Sequence, residues 1–304
     1  RESNIMLYSS FPFFNNYWQY ILISIISLVV LNVWTKSSKI FKNSKQTLDQ
    51  DSGESKSSKD EESDENEAGN SSDDDADEPA LPMDLEHVPY QYTRPSEEEM
   101  MQKARQFYKI ASARRTIRFF SPDPVPIEVI REVIRSAGTS PSGAHTEPWT
   151  FVVVSDPKMK AAIREIIEKE EEVNYKKRMG KKWTTDLKPL RTDWVKEYLT
   201  TAPYLIMIFK QTYGLAENGK KKIHYYHELS VSIACGILLA AIQVCAGLVT
   251  LTSTPLNCGP ALRKLLNRPV YEKLTLLLPV GYPARDATVP NLCRKSLSDI
   301  LIEI

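Results

Sequence analysis

Cysteine and histidine are scarce, with four of each, and neither is spaced for a metal. Cys235, Cys245, Cys258 and Cys293 form no C-x-x-C pair, which excludes a zinc ribbon and a thioredoxin-like redox centre. Buried free thiols in a reducing compartment suit them better than a disulfide framework. His224 and His227 stand at i, i+3, but no matching carboxylate–histidine cluster follows, so no metal is expected. A Walker loop and a G-x-G-x-x-G motif are both missing, leaving nucleotide sites of those types unsupported. No Ser-His-Asp or Cys-His arrangement is recognisable. Net charge is absent too, but only as a sum. Asp51–Val88 holds 15 Asp and Glu against two Lys, so the rest of the chain is strongly basic. That excess suits nucleic acid or a phosphate-bearing cofactor. No zinc-finger spacing or aromatic-interleaved basic stripe favours nucleic acid, and none is expected as a partner.

What is present divides the 304 residues into four parts. Residues 1–17 form a flank. Trp18–Trp34 is apolar with aromatics at both ends, the pattern of a single membrane anchor, although slightly short of ~20 residues. A signal peptide is the rival reading, against which no small-x-small cleavage site follows. Lys36, Lys39, Lys42 and Lys45 come directly after the span. The positive-inside rule then puts the following chain in the cytoplasm, on a plasma or vesicle membrane. Residues 35–86 are a Ser-, Asp- and Glu-rich tether with the composition of a disordered linker. Residues 87–304 read as one globular α+β domain, since helical and strand patterns mix without a regular βαβ repeat.

Within that domain Ser96 and Glu99 make a capping-box pattern, and Ile127–Ala137 has a helical apolar repeat. A charged helix is expected over Lys158–Met179, a polar connection over 181–188, and a second charged helix around Trp194–Leu199. Strands are expected at Thr150–Val154, Pro203–Phe209, Val249–Leu251 and Leu274–Val280. His227–Ala246 is apolar almost all round and belongs in a core or an oligomer interface. The tail from Thr288 to Ile304 is long for a cap and is expected to wrap around a partner subunit.

Four stretches carry candidate chemistry. Arg114, Arg115 and Arg118 cluster with Thr116, and arginine forks match phosphate; an exposed basic turn has the same composition. The loop Ser140-Pro141-Ser142-Gly143-Ala144-His145-Thr146-Glu147-Pro148-Trp149 offers small residues and exposed backbone N–H groups, as does an ordinary helix-to-strand turn. Glu171 and Tyr175 share a helix face at i, i+4, where surface ion pairing accounts for most neighbouring charges. Thr252, Ser253 and Thr254 put three hydroxyls at a strand end, where turn capping is the commoner use.

Three segments in this order, Arg-Arg-Thr-Ile-Arg at 114–118, Pro-Ser-Gly-Ala-His-Thr-Glu-Pro-Trp at 141–149 and Thr-Pro-Leu-Asn-Cys-Gly-Pro at 254–260, resemble the flavin-dependent nitroreductase superfamily. Glu-Glu-Glu-Val-Asn-Tyr-Lys-Lys-Arg-Met-Gly at 170–180 and Trp194–Leu199 resemble the lid of its halotyrosine-dehalogenating branch. The resemblance implies a nitroreductase-like, FMN-binding fold in an intertwined homodimer. It implies that Arg114, Arg115, Thr116, Ile117, Arg118 and Arg294 bind FMN, with Ser142 reaching it from the partner chain. Thr252, Ser253 and Thr254 would line the ring, Thr254 as the catalytic residue offering its hydroxyl to flavin N5. The superfamily usually has Ser at the place of Thr116, which keeps the hydroxyl. Glu171 would meet the ammonium of a halogenated tyrosine, Tyr175 and Lys196 its carboxylate, and the Ala144 N–H its phenolate, with the substrate ring on the flavin. His145 receives no role. The implied reaction is reductive dehalogenation of mono- and diiodotyrosine to tyrosine and iodide for iodide salvage. Electrons would come through a flavin-reducing donor system with NADPH as ultimate reductant. The alternatives are a broad-specificity flavin nitroreductase or quinone reductase, and a non-catalytic flavin- or halotyrosine-binding protein.

Overall fold

The computed structural model describes residues 81–216 and 219–304. The expected anchor at 18–34 and nearly all of the tether at 35–86 lie outside them. The centre of the described fold is a four-stranded antiparallel sheet in the order β1-β2-β6-β5. Its strands are β1 (Trp149–Val154), β2 (Tyr204–Gln211), β5 (Val249–Thr250) and β6 (Glu272–Gly281). β2 is buried on both faces, and alternation along it feeds two cores. Leu205, Met207 and Phe209 join Ile163, Ile167, Leu199 and Leu262 on one side. Ile206 and Ile208 join Ile130, Val133, Val231 and Leu238 on the other. Helices on both faces of an antiparallel sheet make the fold α+β, as the mixed patterning implies.

Each helix starts where local chemistry lets it. Ser96 caps α1 (Glu97–Ser112) by accepting from the Glu99 N–H at 3.2 Å. Asp156 caps α3 (Pro157–Val173) by accepting from Met159 N–H at 2.7 Å, with Pro157 in the first turn. α2 (Ile127–Ala137) buries Ile130, Val133 and Ala137 at helical spacing. α6 (His227–Ala240) continues into a wide π turn, Ala241–Cys245. His227–Cys245 is long and apolar enough to cross a membrane, yet Val231, Cys235 and Leu238 pack into the core. It is a core helix with one face left over.

The expected strands are present within about two residues. The charged helix is not continuous: α3 ends at Val173 and a π turn, Asn174–Arg178, follows. Residues 181–187, read as a connection, form helix α4 (Lys181–Leu187). Trp194–Lys196, read as helix, is a turn leading to α5 (Tyr198–Thr201). A small hairpin, β3 (Tyr213–Leu215) with β4 (Lys221–Ile223), has no counterpart in the sequence reading. Of the thiols, Cys235 and Cys258 are buried, whereas Cys245 and Cys293 are exposed; all four are free.

Lys160 ties α5 to α3. It is a buried lysine on α3 whose Nζ donates to the carbonyls of Ala202 at 2.8 Å and Thr200 at 3.2 Å. These carbonyls end α5, where the helix has no partners of its own for them. Lys160→Met keeps the bulk and removes both donors, so it is expected to cost about 2 kcal/mol. Chemical denaturation measures this; a loss under about 0.5 kcal/mol would mean that water replaces the ammonium.

Candidate active site

The arginine segment is placed by the sheet. Thr116 makes a parallel bridge to Thr250, and the Ile117 N–H donates to the Thr250 carbonyl at 3.2 Å. Phe120 then bridges Pro283, and its side chain is buried in the core. Residues 114–118 therefore pass alongside β5, held to it at the one Thr116–Thr250 bridge. The tail closes on them: Arg294 donates to the carbonyls of Ser112 and Arg114, both at 2.6 Å, and Arg115 donates to Pro290. A guanidinium carries five N–H donors, so Arg115 and Arg294 keep donors for another group.

The three hydroxyls lie beside the same edge. Ser253 pairs with Leu277 of β6 through two backbone bonds of 2.9 and 2.8 Å. Thr252 and Thr254 on either side of it are exposed. Buried Tyr198 lies close by: burial pushes its phenol up strongly, and the Ser253 hydroxyl acts in the opposite direction.

On α3 the surface charges pair locally, Arg164 with Glu168 at 2.7 Å and, from the π turn, Arg178 with Glu170 at 2.9 Å. Glu171 is different. It continues the buried stripe Lys160, Ile163, Ile167. Its Oε2 lies 3.9 Å from Lys196 Nζ, with only 11% and 8% of the two side chains exposed. Lys196 is held from several directions: its N–H donates to Glu168 Oε1 at 2.6 Å, its Nζ to the Asp193 carbonyl and to Thr192 Oγ1 at 3.4 Å. Nζ also sits 5.4 Å from the centre of the Tyr175 ring, a cation–π distance. Tyr175 meets Trp194 edge-on at 6.1 Å. Glu171, Tyr175 and Lys196 thus form one cluster, and the charge of Arg118 acts on Tyr175, Lys196 and Tyr198 alike. Arg118 also lines a cleft of about 310 Å³, together with Phe119, residues 189–191 and tail residues 288–291.

The 140–149 loop stands apart. Among the described residues no hydrogen bond, ion pair or ring contact joins it to the arginines or the cluster. Ser142 Oγ accepts from the Glu147 N–H at 3.0 Å, and the Ser142 and Gly143 carbonyls accept from His145 and Thr146 N–H. A side chain on Gly143 would meet the Tyr225 carbonyl at 2.9 Å, so only glycine fits. Ala144, His145 and Glu147 are all left-handed, at φ 48°, 52° and 47°. Such backbone costs about 1 kcal/mol or more per residue and gathers at functional sites.

Sequence reasoning passed over Asn174, Asn257 and Tyr198. Asn174 is almost fully buried and accepts from Asn257 Nδ2 at 3.1 Å and Arg178 at 3.0 Å. Its position three residues after Glu171 was the available signal.

Residues 111–282 match the model of the Nitroreductase family. The chain belongs to that family. It is 66% identical over 220 residues to iodotyrosine deiodinase 1 of Mus musculus, covering 72% of this chain and 77% of that one. The match to iodotyrosine deiodinase 1 of Homo sapiens is 54% over 291 residues, 93% of this chain and 98% of that one. A crystal structure of oxidised iodotyrosine deiodinase bound to FMN and 3-iodo-L-tyrosine is similar, with TM-score 0.56 and 31% identity. It covers 63% of this chain and 96% of that one.

Burial lowers the affinity of Lys196 for its proton more than the neighbouring carboxylates restore it. The charged lysine therefore costs stability at neutral pH, and this cost fades as pH rises toward the ordinary lysine value near 10.5. Removing both charges, Lys196→Met together with Glu171→Gln, is expected to raise the melting temperature at pH 7, with the gap over the unsubstituted protein closing as pH rises. A double variant less stable than the unsubstituted protein at pH 7 would show that the ion pair outweighs burial.

Proposed function

We propose that this chain is an FMN-dependent oxidoreductase that removes iodine from mono- and diiodotyrosine, leaving tyrosine and iodide. The observation that carries this reading is the buried cluster of Glu171, Tyr175 and Lys196 beside Arg118 and the 252–254 hydroxyls. It joins a carboxylate for an ammonium, a cation and a phenol for a carboxylate, and an arginine-rich strip next to them. The similarity to deiodinases, one of them holding FMN and 3-iodo-L-tyrosine, points the same way.

The donor set fits FMN. Arg114, Arg115, Thr116, Arg118 and Arg294 supply planar cationic forks and a hydroxyl for a phosphate and ring oxygens, with Ile117 fixing the strip by its backbone bond. Thr252, Ser253 and Thr254 supply hydroxyls for the polar edge of a heterocycle, Thr254 at the reacting nitrogen. When bound and reduced, FMN supplies the two electrons that, with one proton, replace carbon–iodine by carbon–hydrogen and release iodide. The chain's own residues do the rest. Glu171 takes the amino-acid ammonium, while Lys196 and Tyr175 take the carboxylate. The Ala144 N–H holds the phenolate, and the segment 170–199 closes over them and excludes water. NADPH, through a donor system, is the ultimate reductant.

A second copy of the chain completes the site. α1 has no buried residue, and α6 leaves Leu229 and Ile233 exposed. The tail exposes Leu292, Leu297, Ile300 and Ile302. Apolar surface on that scale belongs to an interface, and it brings Ser142 and Ala144 of one copy to the arginines and cluster of the other. The membrane anchor at 18–34, with the domain on the cytoplasmic side, remains part of the proposal. The match to the human relative is longer than the described residues and so enters this N-terminal part.

Purified protein is expected to be yellow, and 3-iodotyrosine to quench its flavin fluorescence. Glu171→Gln should weaken iodotyrosine binding at least tenfold while changing 2-iodophenol binding little. Equal losses for the two ligands would remove the ammonium role and with it the amino-acid substrate. Ile233→Glu is expected to give a monomer in sedimentation that no longer retains FMN; a variant that stays dimeric would sink the α6 interface.

A further inference from the structure

Nothing in the proposed chemistry uses Asn174, although it is one of the few buried polar residues, with 1% exposed. Its amide orientation is decided by its neighbours. Arg178 NH1 lies 3.0 Å from Oδ1, and a guanidinium can only donate. The oxygen of Asn174 must therefore face Arg178, and Asn257 must present its own NH₂ to the same oxygen, at 3.1 Å. What is left is the Asn174 NH₂, which points to Glu171 Oε1 at 3.4 Å. The two oxygens of Glu171 are thus divided. Oε1 is taken by Asn174, and Oε2 faces Lys196 at 3.9 Å, a distance that leaves room for a closer cation.

We propose that Asn174 is a positioning residue for the halotyrosine ammonium: it occupies Oε1 of Glu171, fixes the carboxylate plane and leaves Oε2 for the ligand. This rests on the substrate reading given above. The network has a second end. Asn257 lies three residues beyond Thr254 and holds a left-handed backbone at φ 62°, so it fixes one corner of the loop that carries the Thr254 hydroxyl. The π turn therefore connects the ammonium clamp to that loop through two side-chain amides. The bond exists with and without ligand, so what its loss takes from affinity is the share of one charge-assisted contact that an unfixed carboxylate forfeits, up to about tenfold.

The test is a double-mutant cycle on the FMN-loaded full chain, read by 3-iodotyrosine quenching of flavin fluorescence. Asn174→Ala is expected to weaken binding about tenfold in the unsubstituted background and less than about twofold when Glu171 is already Gln. Asn174→Asp keeps the shape and the Arg178 contact but cannot donate to Glu171, so it guards against a folding defect. It should weaken binding at least as much, and this effect should vanish or reverse in the Glu171→Gln background. Equal falls in both backgrounds would overturn the inference and leave the substrate reading standing. An unsubstituted, flavin-loaded protein that gives no response to 3-iodotyrosine would overturn both.

Discussion

Burying opposite charges in one apolar stripe is the constraint that shapes this molecule's active half. Glu171 and Lys196 each lose most of their water, and at 3.9 Å their attraction repays that loss only in part. The surrounding residues make up part of the difference. Glu168 pins the Lys196 backbone, the Asp193 carbonyl and Thr192 take its ammonium, and Asn174 takes one oxygen of Glu171. The apolar part of the stripe, Ile163 and Ile167, is anchored in the core against β2, so Glu171 cannot swing out without pulling the helix from the sheet. A pair left partly uncompensated is one that the proposed zwitterionic ligand would satisfy better.

The sheet answers a different requirement. Arg114–Arg118 and Thr252–Thr254 are some 135 residues apart, and neither means much alone. Bridging Thr116 to Thr250 sets the arginines in line with the hydroxyls at the cost of a few backbone bonds. Backbone pairing of this kind fixes register without dictating side chains, leaving the arginines and hydroxyls free to serve a ligand.

How far the sequence went depended on whether the signal was local. Strong apolar runs such as 204–209 and 274–280 are buried on both faces, so their strands were legible from residue type alone. Ile127–Ala137 matched because its stripe and its break after Ala137 are both in the sequence. The stretch 181–199 was misassigned in both directions. Its charged residues carry little periodicity, and the turn at Trp194 is held by Asp193, whose side chain accepts from the Val195 N–H. The arginines, hydroxyls and segment 170–199 of the candidate site are expectations of the resemblance alone, whereas periodicity marks Glu171 and Tyr175 as neighbours. Asn174 was invisible because its worth lies in Asn257, 83 positions away. The loop at 140–149 looked like a site for its small residues. Its three left-handed non-glycine residues are a stronger mark, and composition cannot display them.

The π turn at Asn174–Arg178 carries a consequence for how this chain tolerates change. In it the Met179 N–H reaches back five residues to the Asn174 carbonyl, at 2.7 Å. A wide turn equals an ordinary helix with one residue inserted, and each residue of an α-helix advances the chain by about 100°. Deleting a single residue here would restore regular helix and ease the backbone, while turning everything beyond it to another side. Arg178 would leave Asn174, and the chain would enter α4 pointing elsewhere. The segment after α3 is therefore protected by an irregularity: substitutions within 174–178 test individual contacts, but a change in length rewrites the direction in which the whole segment leaves the helix.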